Sequence, residues 1–525
     1  MRGKLSIQQI ACLLAPVLMG AFVILPTVGE QGWKSDDYAL LEAALTSWSE
    51  LGTDLGKAWC AVFQGERPLN YWLGTIHTRF IGGYFGQVGA HFTLGLIHIL
   101  NALLAGLLFR QIGYRLATCS LAATLFVVSP WVTQGVFWWT SNVATFSSTA
   151  ILAAALGFLR WRQTDQRRFL ALSLGMTFLC LTVYELWIAF PILFLTIEFL
   201  RPRDEGWRSD HNSLPLSAIA IARPLIPFLV LISLWVVLSW MAWKFGSAEP
   251  RVSPSFSPIR LLIGAASVHL RCIHWFTDTP WSSAFSAGIS KVFSSWWTTI
   301  LAIFGTLSIY LALVNKPTTN GSSRPTGPVP YPLLKTALLA WSFFLASRLV
   351  LILQGGVATH TRHNYGAAIG FGLLVAWGVV YATPPRSHRS QRAVALLSSV
   401  VILGLGLVSL GIGTQYVETS RMENQTLIDL ERAHRRQAFD HALIVGFPEY
   451  PVGEMSYYEE GDGQWLHFRT RNQYDGAWAL DPEASGLLIN NDHVSFVARG
   501  QEHSYPRSTV ALFQWSAGEL VSYSP

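Results

Sequence analysis

Residues 7–38 read IQQIACLLAPVLMGAFVILPTVGEQGWKSDDY, and this stretch decides the fold. The run Ile7–Val28 is apolar and long enough to cross a bilayer as a helix. A secretory signal peptide would begin similarly, but no small-residue cleavage site follows cleanly. The basic residues before the run therefore predict a first transmembrane helix with its N-terminus in the cytoplasm. Two adjacent carboxylates, Asp36 and Asp37, follow just beyond it.

The composition predicts an all-α polytopic membrane protein. Of its 525 residues, 51% are apolar and only 13% are charged, whereas an average soluble protein carries about 25% charge. Tryptophan, which favours membrane interfaces, is abundant with 22 residues. The net charge of +6 comes from Lys and Arg grouped in short loops between apolar runs. That grouping specifies membrane topology and does not indicate a nucleic-acid partner.

Counting apolar runs predicts about eleven transmembrane helices. Placed alternately on the two sides, the basic clusters at 110–115, 160–168, 201–208, 316–335 and 386–392 all fall on the cytoplasmic side. Agreement with the positive-inside rule at every such loop supports the count. The predicted spans after the first are His91–Phe109, Leu116–Trp131, Val143–Leu159, Phe169–Val183, Leu186–Leu200, Ile221–Trp243, Trp296–Val314, Leu334–Leu353, Gly366–Tyr381 and Val394–Ile412.

Residues 1–412 thus form the predicted transmembrane domain, and its outer segments are the places to look for chemistry. The first outer loop, 29–88, is too polar to span and has apolar residues at helical spacing, which predicts amphipathic helices on the membrane surface. A second long polar segment, 244–294, is predicted as another outer loop. The corner Trp138–Asn142, the pair Tyr184–Glu185 and the segment 354–365 fall on the same side.

Residues 413–525 differ in composition and are predicted to form a small exported α+β domain. Charged residues at helical spacing open the segment, and turn residues then separate short β-like runs. The predicted strands are Ala442–Gly446, Gln464–Thr470, Gly486–Ile489, His493–Ala498 and Thr509–Trp515.

The five cysteines show neither a CxxC motif nor metal-ligand spacing. Three of them, Cys12, Cys119 and Cys180, lie in apolar runs and are predicted packing residues. Cys60 and Cys272 fall in predicted outer loops, so a disulfide between them is conceivable, but sequence cannot fix their proximity.

Asp36 and Asp37 are the first candidates for catalysis. A carboxylate near the low-dielectric membrane boundary has a raised pKa and can accept a proton from a hydroxyl nucleophile. The pair is also a candidate site for a divalent cation. A structural alternative is that Ser35 or Asp36 caps a helix beginning at Tyr38. The two interpretations are compatible, and Asp37 is the favoured base because Asp36 is better placed to cap.

The other candidate site residues also lie on the predicted outer side. Arg67 and His77 either recognise a phosphate or snorkel from an interfacial helix. Glu185 either acts in the site or pairs with an interfacial cation. Basic residues on an outer segment oppose the topology rule, and a lipid-phosphate headgroup would explain them. The basic candidates of this kind are His360, Arg362 and His363.

His91, His98 and Asn101 are spaced by seven and three residues and share one helix face. Polar residues within a span usually face the interior of the bundle, so hydrogen bonding between helices is the favoured interpretation. A metal site is the less favoured one, because no carboxylate has suitable spacing.

Nucleotide-binding, hydrolase and metalloprotease motifs do not occur in their required context. Several short stretches instead follow one another in the order seen in the GT-C class of membrane glycosyltransferases. The chain most resembles the bacterial relatives of the dolichyl-phosphate-mannose-dependent protein mannosyltransferases, over roughly residues 8–410. The stretches are Asp36–Tyr38, Arg67–Tyr71, His91–Leu104, Val128–Trp138, Tyr184–Glu185 and Arg362–Gly366.

The resemblance implies a polyprenyl-phosphate sugar as donor, Asp36 or Asp37 as the base that deprotonates the acceptor, and Arg362 in contact with the donor phosphate. The chain departs from the family pattern at Tyr184, where a lysine is common, at His363, where a tyrosine is common, and at Ala367–Ala368, where a proline is often present.

The leading hypothesis is an inverting glycosyltransferase in a bacterial inner membrane, with the C-terminus outside. It would transfer a hexosyl or pentosyl group to an envelope glycan, lipid or protein. The alternatives are a transporter or flippase for a lipid-linked glycan, which needs a polar path through the bilayer, and a scaffold acting through residues 413–525.

Overall fold

The computed structural model describes residues 6–32, 74, 76–201, 222–245, 257–314, 333–353, 361–382, 387–445, 476–480, 486–498, 501–516 and 519–523. The side chains of Glu185 and Arg362 lie outside the described part. The helices are α1 (Ile7–Val28), α2 (Gly83–Ile112), α3 (Leu116–Val127), α4 (Gln134–Phe137), α5 (Asn142–Thr164), α6 (Arg167–Val183), α7 (Phe190–Leu200), α8 (Ile226–Phe245), α9 (Pro258–Asp278), α10 (Trp281–Ser294), α11 (Trp296–Val314), α12 (Leu333–Leu353), α13 (Tyr365–Trp377) and α14 (His388–Arg436).

Within the described residues, 6 helical segments are long and apolar enough to cross a membrane. They correspond to predicted spans in α1, α2, α5, α11, α12 and α14. Four further apolar helices, at Leu116–Val127, Leu186–Leu200, Arg223–Val237 and Tyr365–Tyr381, are shorter than a full span. The chain is therefore a helical integral-membrane protein, and the count of about eleven spans stays a prediction.

The first helix packs against several other helices of the bundle. A capping box fixes its start, since Ser6 accepts from the Gln9 backbone N–H while the Gln9 side chain accepts from Ser6 N–H. Met19 and Phe22 are fully buried and belong to one large apolar core that includes residues from most of the helices. A Cβ on Gly305 would lie 2.6 Å from the Met19 sulfur, so glycine permits the close packing of α11 on α1.

Contacts between distant residues show which helix ends share one end of the bundle. The Gln8 side chain donates to the Ala312 carbonyl oxygen (3.2 Å), and the Gln391 side chain donates to that of Val314 (2.9 Å). At the opposite end, the Gly32 backbone N–H donates to the Ser420 hydroxyl (3.3 Å). We call the end with Gly32 the outer end, following the predicted topology. The contacts agree with the predicted alternation, while the side that faces the cytoplasm stays a prediction.

A buried carboxylate holds α5 and α7 together at the inner end. Glu198 is only 3% exposed and pairs with Arg162 Nε (3.2 Å) and Arg201 Nε (2.9 Å). Arg162 also donates from Nη2 to the second carboxylate oxygen (3.3 Å), which makes a bidentate pair. Two guanidinium groups therefore compensate the desolvation of one carboxylate.

We expect Glu198→Gln to lower the free energy of unfolding by about 2 kcal/mol, because both arginines lose the charge that compensates their partial burial. Chemical denaturation of the purified protein in mixed micelles measures the change. The matched control is Glu431→Gln in α14, whose ion pair with Arg435 is solvent-exposed and should matter by no more than about 0.5 kcal/mol. Equal losses of unfolding free energy in the two variants would contradict a stabilising role for the ion pairs of Glu198.

Most of the described part of the predicted outer loop 244–294 is helical, and its place on the outer side stays a prediction. Helices α9 and α10 occupy Pro258–Asp278 and Trp281–Ser294. A Cβ on Gly288 would overlap the backbone of Leu407, and one on Gly411 would overlap the carbonyl of Ala284. Helix α10 therefore packs closely on α14. The mixed polar and apolar sequence reflects two amphipathic helices, each with one face on the bundle.

Helix α14 runs for 49 residues without interruption, from His388 to Arg436. At 1.5 Å per residue it is about 73 Å long, more than twice the thickness of the hydrocarbon core. It therefore passes through the predicted domain boundary at 412 and 413 as one rod. The last membrane helix and the start of the predicted exported domain are the same element.

The described C-terminal strands form two sheets. They are β1 (His441–Val445), β2 (Gly476–Leu480), β3 (Leu488–Ile489), β4 (His493–Ala498), β5 (Gln501–Pro506), β6 (Val510–Ser516) and β7 (Glu519–Ser522). One sheet has the order β2-β1-β6-β7, with β1 parallel to both β2 and β6, and the other is an antiparallel β3-β4-β5 sheet. Leu443, Phe496 and Leu512 pack between them. The strand predicted at Gln464–Thr470 lies outside the described residues.

The three cysteines predicted as packing residues, Cys12, Cys119 and Cys180, are buried thiols. Cys60 and the side chain of Cys272 lie outside the described part, so the pairing stays a prediction.

Candidate functional site

At the outer end, the chain between α3 and α5 leaves regular helix for a loop of residues 129–141. Helix α3 ends at Val127, earlier than predicted. Ser129 is extended (φ −67°, ψ 122°) and its hydroxyl accepts from the Trp131 backbone N–H (3.4 Å). Pro130 lacks an N–H and so suits the first position of the short 3-10 turn that follows. The loop is buried along most of its length.

Two more helix interruptions reach the same region. Tyr184 is extended (φ −154°, ψ 106°) and separates α6 from a 3-10 turn at Glu185–Ala189. A second 3-10 turn, Thr361–Asn364, precedes α13. Its neighbour Tyr365 packs against Gly135 of the 129–141 loop, where a Cβ would lie 2.7 Å from the tyrosine ring. Three segments that sequence alone placed on one side thus converge.

A buried hydrogen-bond network lies beneath this convergence. His98 contacts the Tyr365 hydroxyl through Nδ1 and the Val127 carbonyl oxygen through Nε2 (3.2 Å). The Thr145 hydroxyl lies 3.3 Å from the same tyrosine oxygen. Asn101 donates to the Thr145 carbonyl oxygen (2.9 Å). His98 and Asn101 therefore form the hydrogen bonds between helices that their spacing predicted.

A small recess opens where these segments meet, and we call it the first recess. Counted together with the solvent space open to it, the recess measures about 190 Å³. Its lining combines aromatic rings with hydroxyl and imidazole groups and a glycine on which Ser347 and Trp187 pack closely. The residues include Tyr184, Trp187, Ser347, His363, Tyr365 and Gly366.

Arg348, the residue after Ser347 in α12, is a fully buried cation that the sequence reasoning missed. It is 0% exposed within α12 and follows Ser347, which lines the recess. Its guanidinium carbon lies 5.4 Å from the centre of the Phe344 ring. A charge at membrane depth is rare and is usually compensated by neighbouring groups, so its place in the bundle is of functional interest. The available signal was an arginine inside an otherwise apolar predicted span.

Several predicted site residues lie outside the described part of the chain. These are Asp36, Asp37, Arg67 and His360, together with the side chains of Glu185 and Arg362. Their roles stay predictions. His363 is described, is half-buried, and lines the first recess with its ring 6.3 Å from that of Tyr184.

The approach to Asp36 and Asp37 is nevertheless fixed by contacts of the residues just before them. The Gly32 carbonyl oxygen lies 3.3 Å from His91 Nε2. The Gln31 side chain donates to the Gly413 carbonyl oxygen (3.2 Å). Glu30 forms ion pairs with Lys291 and with Arg421. The chain thus leaves the end of α1 held against α2, α10 and α14, four residues before Asp36.

His77 lies beside the 129–141 loop as an aromatic packing partner. Its ring stacks on Trp139 with centroids 4.3 Å apart. The Trp139 indole N–H donates to the Thr78 hydroxyl (3.0 Å). Burial lowers the pKa of His77 to about 4, so the ring is neutral at pH 7. A neutral stacked ring is typical of packing, and phosphate recognition by His77 stays a prediction.

This pKa predicts acid sensitivity. In the unfolded state His77 has an ordinary histidine pKa, so the unfolded protein binds more protons than the folded protein between about pH 6.5 and pH 4. His77 therefore makes the fold less stable as pH falls through that window. We expect His77→Phe, which keeps the stacking, to remove up to about 3 kcal/mol of that loss. Thermal unfolding at pH 4 and pH 7 measures it. The control is His388→Phe, at an exposed histidine. If the unfolding temperatures of the native protein and His77→Phe depend on pH in the same way, the low pKa of His77 is contradicted.

Comparison with known proteins gives two similar structures at low identity. One is the archaeal oligosaccharyltransferase AglB from Archaeoglobus fulgidus in complex with an inhibitory peptide and a dolichol-phosphate, with 12% identity and a TM-score of 0.39. The other is the Archaeoglobus fulgidus oligosaccharyltransferase tethered to an acceptor peptide through a disulfide bond, with 12% identity and a TM-score of 0.37.

The alignments cover 90% and 91% of this chain, but only 64% of each archaeal chain. TM-scores this low do not establish a common fold. No family model matches the sequence, and no curated protein sequence matches it.

Proposed function

We propose that the protein is an inverting membrane glycosyltransferase acting at the outer face of a bacterial inner membrane. Its donor is a polyprenyl-phosphate sugar, and its acceptor is an envelope glycan, lipid or protein. The observation that carries the proposal is the recess formed where Tyr184, His363 and Tyr365 meet, which is also lined by Ser347, the neighbour of the buried Arg348. A cation at that depth, near the predicted membrane surface, suits a phosphate on a lipid whose tail stays in the bilayer.

The proposed reaction divides its tasks among groups of this chain. Asp37, or Asp36, removes the proton from the acceptor hydroxyl as its oxygen attacks the anomeric carbon. The bond from that carbon to the phosphate oxygen breaks, and the polyprenyl phosphate leaves with the bonding electrons. Arg348 and Arg362, with His360 or His363 and Arg67, stabilise the leaving phosphate, while Glu185 orients substrate. The Asp pair is also a candidate for a divalent cation, since such ions prefer carboxylate oxygens, and no step here depends on it.

The transporter alternative has less support from the described residues. A flippase needs polar groups along a path through the bilayer, whereas Asn101, Thr145 and Tyr365 hydrogen-bond to one another and to backbone. Such a closed network stabilises a packed interior.

The deciding experiment compares surface glycans and glycolipids of a deletion strain with those of the wild type by mass spectrometry. Loss of one sugar with its lipid-linked precursor retained outside supports glycosyl transfer. Accumulation of the precursor on the cytoplasmic side supports the flippase. Unchanged glycans and glycolipids would overturn both.

A further inference from the structure

A second recess lies across the 129–141 loop from the first. Counted together with the solvent space open to it, the recess measures about 280 Å³, and it lies between the start of that loop, the corner joining α9 to α10, and α14. The residues that line it include Pro130, Thr133, Thr279, Pro280, Gln415 and Tyr416. The second recess therefore lies on one side of the 129–141 loop, and Tyr365 packs against the other side.

Fixed contacts hold the walls of the second recess. The Ser409 hydroxyl of α14 donates to the Val128 carbonyl oxygen (2.7 Å), which ties the helix to the start of the loop. The Tyr416 ring lies 6.0 Å from that of Phe137 in the same loop. The Thr133 hydroxyl donates to the Pro130 carbonyl oxygen (3.0 Å) and keeps its lone pairs for a donor. The cavity is thus bounded by two rigid elements.

Gln415 gives this recess an unsatisfied hydrogen-bonding group. Its side chain is only 9% exposed, and its oxygen has no hydrogen-bond partner among the described residues. Its amide nitrogen makes only a long contact of 3.4 Å with the Ser283 hydroxyl. A buried acceptor without a donor costs about 1–3 kcal/mol. A ligand hydroxyl would remove that cost.

The remaining chemistry of the recess selects the class of ligand. None of the described residues that line it is charged, so it does not suit a phosphate or a carboxylate. The Thr133 hydroxyl and the Gln415 amide offer both donors and acceptors. Pro130, Pro280 and Ile412 offer apolar walls. Alternating hydroxyl groups and C–H faces are the surface of a neutral sugar ring.

We infer that the second recess binds a neutral sugar unit of the acceptor, and that the acceptor is therefore a glycan or glycolipid. This inference rests on the proposed function, since it places the acceptor across the 129–141 loop from the donor phosphate beside Arg348.

The test uses the purified full-length protein in nanodiscs of sugar-free phospholipids. The probes are methyl hexopyranosides and a methyl pentofuranoside, observed by saturation-transfer NMR. We expect one of them to bind, and Gln415→Leu to weaken that binding at least about tenfold, as expected for one lost buried hydrogen bond. Thr133→Val should weaken it further. The control is Gln425→Leu on the same helix, whose side chain instead bonds Asp429.

Unfolding temperatures of the variants, compared with that of Gln425→Leu, show whether each is folded. The inference is overturned if no glycoside binds the native protein, or if Gln415→Leu binds the glycoside as well as the native protein does. It is also overturned if Gln415→Leu keeps its affinity for glycosides and loses affinity for acceptor-like peptides. If the protein fails this binding test but still transfers a sugar, the proposed function stands and only the inference about the acceptor is wrong. Glycoside binding with unchanged surface glycans in the deletion strain instead overturns the proposed function.

Discussion

Replacing Asp36 and Asp37 together by asparagine is expected to abolish glycosyl transfer, by at least about 100-fold, because general-base catalysis contributes about 10²–10⁴-fold. Asparagine keeps the size and polarity of each side chain but cannot accept the proton from the acceptor hydroxyl. The product is measured by mass spectrometry of glycans and glycolipids in the deletion strain complemented with each variant. The single variants then identify the base, which we expect to be Asp37.

The matched control for this pair is Asp165→Asn. Asp165 has a positive φ of 55° and ends α5 at the inner end of the bundle. Asparagine tolerates that conformation well, so the control changes the same chemical group far from the proposed site. Full activity in the Asp36→Asn, Asp37→Asn double variant, at equal protein levels, would rule out catalysis by the pair.

Replacing Arg348 by glutamine is expected to weaken binding of a short-chain polyprenyl phosphate by about 10- to 100-fold, since a charged hydrogen bond contributes about 1.5–3 kcal/mol. Arg348→Lys should keep part of the affinity, because it retains the charge without the planar fork. Affinity is measured on the purified protein. Binding of the uncharged polyprenol serves as the second readout and should be unchanged.

That second readout separates a phosphate ligand from a structural cation. If Arg348 only stabilises the fold, its loss lowers the unfolding temperature and affects polyprenol and polyprenyl phosphate equally. Arg389→Gln, at an exposed arginine of α14, controls for the general loss of one positive charge. Equal phosphate affinities for Arg348→Gln and Arg389→Gln would exclude Arg348 from the donor site.

Much of the membrane architecture could be predicted because it depends on local properties of the chain. A run such as Ile7–Val28 is identified by its length and apolarity, whatever it packs against. The spacing of His98 and Asn101 sets them on one helix face, and both form the predicted hydrogen bonds. The packing of segment 244–294 could not be predicted in this way. Its average polarity indicated an outer segment, and only the contacts of Gly288 and Gly411 show that α10 packs tightly on α14.

The sequence by itself determined that this is a helical membrane protein, which runs are apolar enough to span, and which helix ends share one end of the bundle. The tertiary structure decided which polar groups meet there. Ser347 lines one recess with Tyr184 and His363, and Gln415 lines another with Thr133, only because helices far apart in the chain pack together. Apolar length is a property of one segment, whereas a binding site needs the relative positions of several, and close packing of side chains fixes those positions.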